Sequence, residues 1–151
     1  MKYILLLLAV SVIACGRSNY SVRLELPTEQ YHDAKAAFEQ LNYEAKFDIV
    51  KYNNSKPGII IKRTDDANVK YPILGYAVVG GPTCEIYIPD RTFLEEYELL
   101  VTVLWHELGH CHNIMHSTNP KEIMFSSVRE IFTYSNKYKD LFFRRLYEAQ
   151  N

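Results

Sequence analysis

The sequence predicts an α+β fold: a mixed, twisted sheet of about five strands with an α/β-like upper part, a long helix laid on it and a helix at the C-terminus. Three observations lead there. Before residue 90 the apolar residues come in short alternating or continuous runs around one helical segment; beyond it they recur every three to four residues. The early runs are separated by dense turn signals, Asn53 to Gly58 and Gly80-Gly81-Pro82. The chain has 151 residues, 48% of them hydrophobic and 23% charged, which is one domain with length enough to bury a core.

Val22, Leu24 and Leu26 alternate with Ser21, Arg23 and Glu25, a period-two strand. Pro27-Thr28 then opens a helix, with Thr28 as N-cap and Glu29 in the first turn. Tyr31, Ala34, Phe38 and Leu41 form its apolar face, and the helix is expected to end near Asn42. Phe47 and Ile49, extending to Lys51-Tyr52, read as the next strand. The continuous run Ile59-Ile60-Ile61 suits a strand covered on both faces. After a polar loop from Thr64 to Asn68 come two more strands, Ile73 to Val79 and Cys84 to Ile88. From Phe93 to Cys111 the period becomes helical, with Tyr97, Val101, Leu104, Leu108 and Cys111 on one stripe facing the sheet. Ser135 or Asn136 caps the last helix, which should bury Tyr138, Leu141, Phe142 and Leu146. Its Lys137, Lys139, Arg144 and Arg145 should face solvent or lie against anionic lipid.

The N-terminal residues stand apart from this domain. Lys2 gives a positive start, and Ile4 to Ile13 form an apolar run too short to span a bilayer as a helix. Residues 1–14 therefore read as a secretory signal. Its end, Val12-Ile13-Ala14-Cys15-Gly16, resembles the bacterial lipobox. The resemblance implies a diacylglyceryl thioether on Cys15, usually with an added N-acyl chain, and a mature chain anchored to a bacterial membrane on the periplasmic or cell-surface side. Residues 15–20 then form a tether and 21–151 the folded domain. The net charge of −1 offers no footing for a nucleic acid. A monomer is the expected state.

The chemistry is concentrated in His106-Glu107-Leu108-Gly109-His110. Two imidazoles four residues apart share one helix face and can reach one metal ion, while Glu107 beside them can reach a water without being a ligand. A third imidazole, His116, follows six residues later. In a continuous helix it would point about 240° away from His110, so it can join only if the chain breaks and turns back. Asn113 is the residue that permits this, being the non-glycine type that best tolerates a left-handed conformation. Three histidines with one open position describe a catalytic rather than a structural zinc. His112 falls off the ligand face, His32 is a surface residue of the first helix, Met115 suits the core, and Trp105 suits either the core or the underside of the site.

The run from His106 to His116 resembles the metzincin signature HExxHxxGxxH, and the continuation Ser117 to Phe125 resembles its matrixin form. In matrixins a Ser follows the third His and the Met-turn methionine stands eight residues beyond it, where this chain has Ser117 and Met124. The resemblance implies that Met124 underlies the ligands without binding metal. It also implies that Ile73 to Val79 is an antiparallel edge strand over the site. Three departures stand out. Asn113 replaces the family's Gly, and Ser126 stands where matrixins have Pro and astacin-like members a Tyr. The loop from Thr64 to Tyr71 lacks the long Gly- and Asp-rich segment that holds structural metals. One catalytic Zn2+ and no structural metal are expected.

The implied activity is hydrolysis of peptide bonds in envelope or cell-surface proteins. A water activated by zinc would attack, and Glu107 would act as general base. A non-catalytic lipoprotein binding module and a zinc amidase acting on cell-wall peptides are the alternatives. Export leaves Cys84 and Cys111 in an oxidising compartment. Cys84 opens the strand before the zinc helix and Cys111 closes that helix on its sheet-facing stripe, so antiparallel neighbours would bring the two together as a disulfide.

Overall fold

Alternation in the first segment makes strand β1 (Ser21–Glu25), and Pro27, whose ring fixes a helix-compatible φ, hands the chain to helix α1 (Thr28–Ala45). A computed structural model describes residues 21–68, 73–127 and 133–151. The expected signal (1–14), Cys15 and the tether (15–20) lie outside the described residues, as does the end of the polar loop at 69–72. The remaining elements are β2 (Lys51–Tyr52), β3 (Ile59–Thr64), β4 (Tyr76–Val78), β5 (Cys84–Pro89), α2 (Asp90–Leu94), α3 (Tyr97–Cys111) and α4 (Asn136–Gln150).

The five strands form one mixed sheet in the order β2-β1-β3-β5-β4. β1 pairs in parallel with β2 and β3, and β3 with β5, while β4 runs antiparallel to β5 at the sheet edge. Register sorts the side chains by face. Ile59 and Ile61 lie opposite Cys84 and Ile86, and all four belong to the core. Lys62, Glu85, Tyr87 and Tyr76 share the other face, where Lys62 Nζ meets Glu85 at 2.7 Å and Tyr76 stacks on Tyr87 with ring centroids 5.0 Å apart. The triple-isoleucine run is thus buried as expected, but Ile60 points to this polar face rather than into a second apolar layer.

Helices α1 and α3 pack together, and α3 lies over β4 and β5. Its buried residues run from Leu100 to Gly109 and include Cys111, so it is enclosed around most of its circumference rather than along one stripe. The stripe's first member, Tyr97, is one-third exposed. Trp105 belongs to the core, donating its indole N–H to Ala37 O at 3.0 Å and meeting Phe143 edge-on. The expected helix from Phe93 to Cys111 is two helices, because Glu95 and Glu96 are extended. Negative charge at that position favours the N-terminus of α3.

Other boundaries moved for local reasons. Pro27 takes the N-cap position and Thr28 is the first helical residue. α1 continues past Asn42 to Ala45, and Lys46 closes it in a left-handed conformation (φ 64°). Asn42 acts instead as a tie: its Oδ1 accepts from the N–H groups of Ile49 and Val50 at 2.9 Å each, and its Nδ2 donates to Val50 O at 2.8 Å. These bonds hold Phe47 to Val50 in a loop, so only Lys51–Tyr52 enters the sheet. In α4, Ser135 is the N-cap, and the buried face is Lys139, Phe142, Phe143 and Leu146, with Tyr138 and Leu141 only half-buried. Lys139 is therefore not on the solvated face; its Nζ meets Glu44 of α1 at 3.0 Å.

Replacing Asn42 with Ala strips two backbone donors of their acceptor at once. Urea unfolding should show a loss of about 2–4 kcal/mol, the cost of two unsatisfied N–H groups, with an unchanged m-value. A loss below half a kcal/mol, on the order expected of an ordinary surface change, would contradict the role given to this side chain.

Candidate metal centre

The end of α3 is shaped by a single left-handed residue. Asn113 has φ 60°, and around it Ile114 N–H bonds Gly109 O and Asn113 N–H bonds His110 O, both at 2.9 Å. This is the paired-bond C-terminal motif usually built on glycine, here closed by Asn. The chain reverses, and a second contact seats the returning segment, Ser117 N–H to Met124 O at 2.8 Å. His116, between the two, comes back over the helix it left.

The result is a triangle of ring nitrogens. His116 Nε2 lies 3.2 Å from His106 Nε2 and 3.0 Å from His110 Nε2. The other nitrogens of the helical pair face carbonyl oxygens, His106 Nδ1 to Ile123 O at 2.7 Å and His110 Nδ1 to Ile114 O at 3.0 Å. A carbonyl only accepts, so the ring proton of each sits on Nδ1 and the bare lone pair of Nε2 points into the triangle. Lone pairs converging at this separation repel unless a cation lies among them. The donor set fits zinc: three neutral imidazoles, oriented by backbone carbonyls, with one side open to a cleft. Burial supports the same protonation state, pulling His106 down to about 4 and lowering His110, in which the neighbouring His116 also plays a part. Among the described residues this is the one cluster of three such ligands.

Glu107 is buried next to His106 and faces β4. Burial pushes its carboxyl up to about 7, opposed by the nearby backbone N–H of Ala77. Gly75 lets this segment lie close on α3: a Cβ there would sit 2.6 Å from Val103 Cγ1, with Glu107 Cγ beyond it at 3.5 Å. The cleft in front has a volume of 580 Å³ and is walled by residues 73–77 on one side, Val103 and the site residues on its floor, and Ser126 and Ser127 opposite. The expected edge strand Ile73 to Val79 is regular only over Tyr76–Val78, and Gly80 (φ 101°) turns the chain beyond it.

Met124 is buried beneath the ligands, and Gly109 is what admits it, since a Cβ there would overlap the Met124 sulfur. Met115, expected in the core, is exposed, because the turn at Asn113 throws it outward. His112 is buried, with Nδ1 2.8 Å from Leu108 O, and does not reach the triangle. His32 is exposed. Cys84 and Cys111 are joined in a disulfide with α-carbons 5.6 Å apart, which ties the last residue of α3 to the first of β5. Glu122, next to Ile123, receives Arg145 of α4 at 2.9 Å. The sequence reading missed Gly75, Ala77, Ile114 and Ile123, which act through backbone atoms or lack of a side chain and carry no chemical signature. Only Gly75, a glycine inside a strand pattern, offered a signal of close approach.

No family model and no curated protein sequence matches this chain. Among solved structures it is similar to archaemetzincin from Methanopyrus kandleri, with 17% sequence identity, a TM-score of 0.58, and coverage of 90% of this chain and 99% of that one. At this identity the likeness is one of fold: a five-stranded mixed sheet with a C-terminal helix, similar to that of archaemetzincin, carrying three histidines able to hold a metal.

The buried ionisable groups set how the metal-free protein responds to acid. His106 and His112 are both lowered from 6.5 to about 4 by burial, so between those values the unfolded chain binds two protons that the folded chain does not. Their contribution is complete above 6.5 and is lost as pH falls toward 4. Glu107, raised from 4.5 to about 7, works the other way and takes up one proton on folding in the same window. The difference leaves stability rising with pH between about 5 and 6.5. His112→Asn, which keeps an N–H donor for Leu108 O, should flatten that rise, as read from urea midpoints of the metal-free protein. An equally steep rise in the variant would show that His112 is not held neutral by the fold.

Proposed function

We propose that this protein is a zinc-dependent endopeptidase. The observation that carries the reading is the convergence of three imidazole Nε2 atoms beside a buried carboxylate, in a cleft walled by an antiparallel sheet edge. His106, His110 and His116 would hold the metal. Zinc bound there supplies a Lewis acid that polarises a carbonyl and makes water a nucleophile near neutral pH. Glu107 takes the proton of the attacking water and passes it to the leaving amine, a task that suits a carboxyl raised toward 7 by its surroundings. The same burial argues against a binding module without catalysis, which gains nothing from keeping a carboxylate out of water.

The free edge of β4 offers an extended peptide a strand to pair with, a mode that depends on main-chain bonds and tolerates varied side chains. Pairing along an open edge suits a substrate that continues on both sides of the cut. The matrixin resemblance of Ser117 and Met124 supports the peptidase reading over an amidase acting on cell-wall peptides. We further assign the lipobox-like Cys15 as a lipid anchor, placing the domain on a bacterial membrane, facing the periplasm or the cell surface, with envelope or surface proteins as substrates. A disulfide between Cys84 and Cys111 is in keeping with an oxidising compartment. A monomer suffices, since one chain supplies every group named.

The mature protein should bind about one zinc ion per chain and cleave a peptide library until a chelator removes the metal. Glu107→Ala should retain the zinc and lose activity by at least about a hundredfold, as for loss of a general base. Cleavage by zinc-free protein, or normal turnover by Glu107→Ala, would refute the assignment.

The anchor has its own test. Wild-type protein should partition into detergent and show an acylated N-terminal peptide by mass spectrometry, and Cys15→Ser should do neither. An unmodified Cys15 in the mature protein would remove the membrane from the proposal and leave the peptidase untouched.

A further inference from the structure

The segment that walls the cleft is held from behind. Thr92, fully buried in α2, donates its hydroxyl to Leu74 O at 2.6 Å, and the Arg91 guanidinium donates to Ile73 O at 2.5 Å. Arg91 is itself fixed, its backbone N–H bonding Asp66 Oδ1 at 3.0 Å and its guanidinium lying 3.7 Å from the same carboxylate. The next residue along, Gly75, lies against Val103 and Glu107 with no room for a side chain. Two residues further, the backbone N–H of Ala77 lies near the Glu107 carboxylate and favours its charged form. β4 spans only three residues and pairs with a strand on one side alone, so its own ladder fixes its position weakly.

We infer that Arg91 and Thr92 form a clamp that positions Glu107 through β4, with Thr92 as the decisive member. The clamp holds the carbonyls of Ile73 and Leu74, and this sets the distance of Gly75 and the direction of the Ala77 N–H relative to the carboxylate. A general base works only when aimed at its proton, and a shift of an ångström in a catalytic group costs orders of magnitude in rate. Thr92 touches neither substrate nor metal in this scheme; it is a positioning residue. The inference rests on Glu107 acting as the base proposed above.

Thr92→Val keeps the shape of the side chain and removes the donor, whereas Thr92→Ser keeps the donor. In the zinc-loaded protein, Thr92→Val should lower kcat about tenfold with KM within about twofold of wild type, and Thr92→Ser should restore kcat to within about twofold. A second reading needs no turnover. Amide hydrogen exchange at Ala77 should quicken about tenfold in Thr92→Val and return to the wild-type rate in Thr92→Ser. Wild-type kcat in Thr92→Val, a loss of kcat with Ala77 exchange unchanged, or a Thr92→Ser variant no better than Thr92→Val would each overturn the clamp. If the wild-type protein cleaves no peptide, the peptidase assignment fails, and Ala77 exchange in the two variants still decides whether Thr92 acts on the Glu107 contact.

Discussion

The site depends on one reversal of the chain. A helix can aim two histidines at a point, but no helix can aim a third one six residues later at the same point. The left-handed Asn113 ends α3 with its last carbonyls satisfied and sends the backbone over its own final turn. Met124 O then receives the Ser117 N–H, and Ile123 O orients His106 from the same short segment. Both halves of the ligand set are thus braced by residues 122–125, and these are anchored in turn by Arg145 of α4. The C-terminal helix, far from the cleft in sequence, is part of what keeps the three nitrogens within reach of one ion.

Around this turn the fold uses backbone atoms more than side chains to place chemistry. Two carbonyls fix the imidazole tautomers, one N–H lies near the Glu107 carboxylate, and two glycines admit close neighbours. That economy explains which parts were legible in the sequence. The three histidines, Glu107, Met124 and the break at Asn113 carry side chains that announce their chemistry at fixed spacing. The sheet and its two main helices were legible because their apolar periods are strong. The disulfide partners could be named because a strand and a returning helix of similar length bring their far ends together.

What stayed hidden was decided by tertiary contact. Asn42 looked like a helix terminator, yet its amide finds better partners in the loop beyond and the helix runs on. Lys139 looked like surface charge until Glu44 of another helix came within 3.0 Å. Glu95 and Glu96 interrupt a segment whose apolar spacing alone reads as one helix. Gly75 and Ala77 matter only because Glu107 lies across from them. None of these follows from local pattern: Lys139, Gly75 and Ala77 answer to other elements, and Asn42 to the loop seven and eight residues on.

The open side of β4 has a cost as well as a use. Unpaired N–H and C=O groups on a sheet edge attract any extended chain, including another copy of the same protein. Here the edge is flanked by Ile73, Val78 and Val79, all substantially exposed. Two features limit the hazard: the regular strand is three residues long, and the turn at Gly80 carries the chain away from the edge. Under the proposed function, the length of that edge would be a compromise between gripping a peptide and remaining dispersed in solution. Occupation of the cleft by any extended ligand should act as a solubiliser, covering the β4 border of the sheet and its exposed apolar residues.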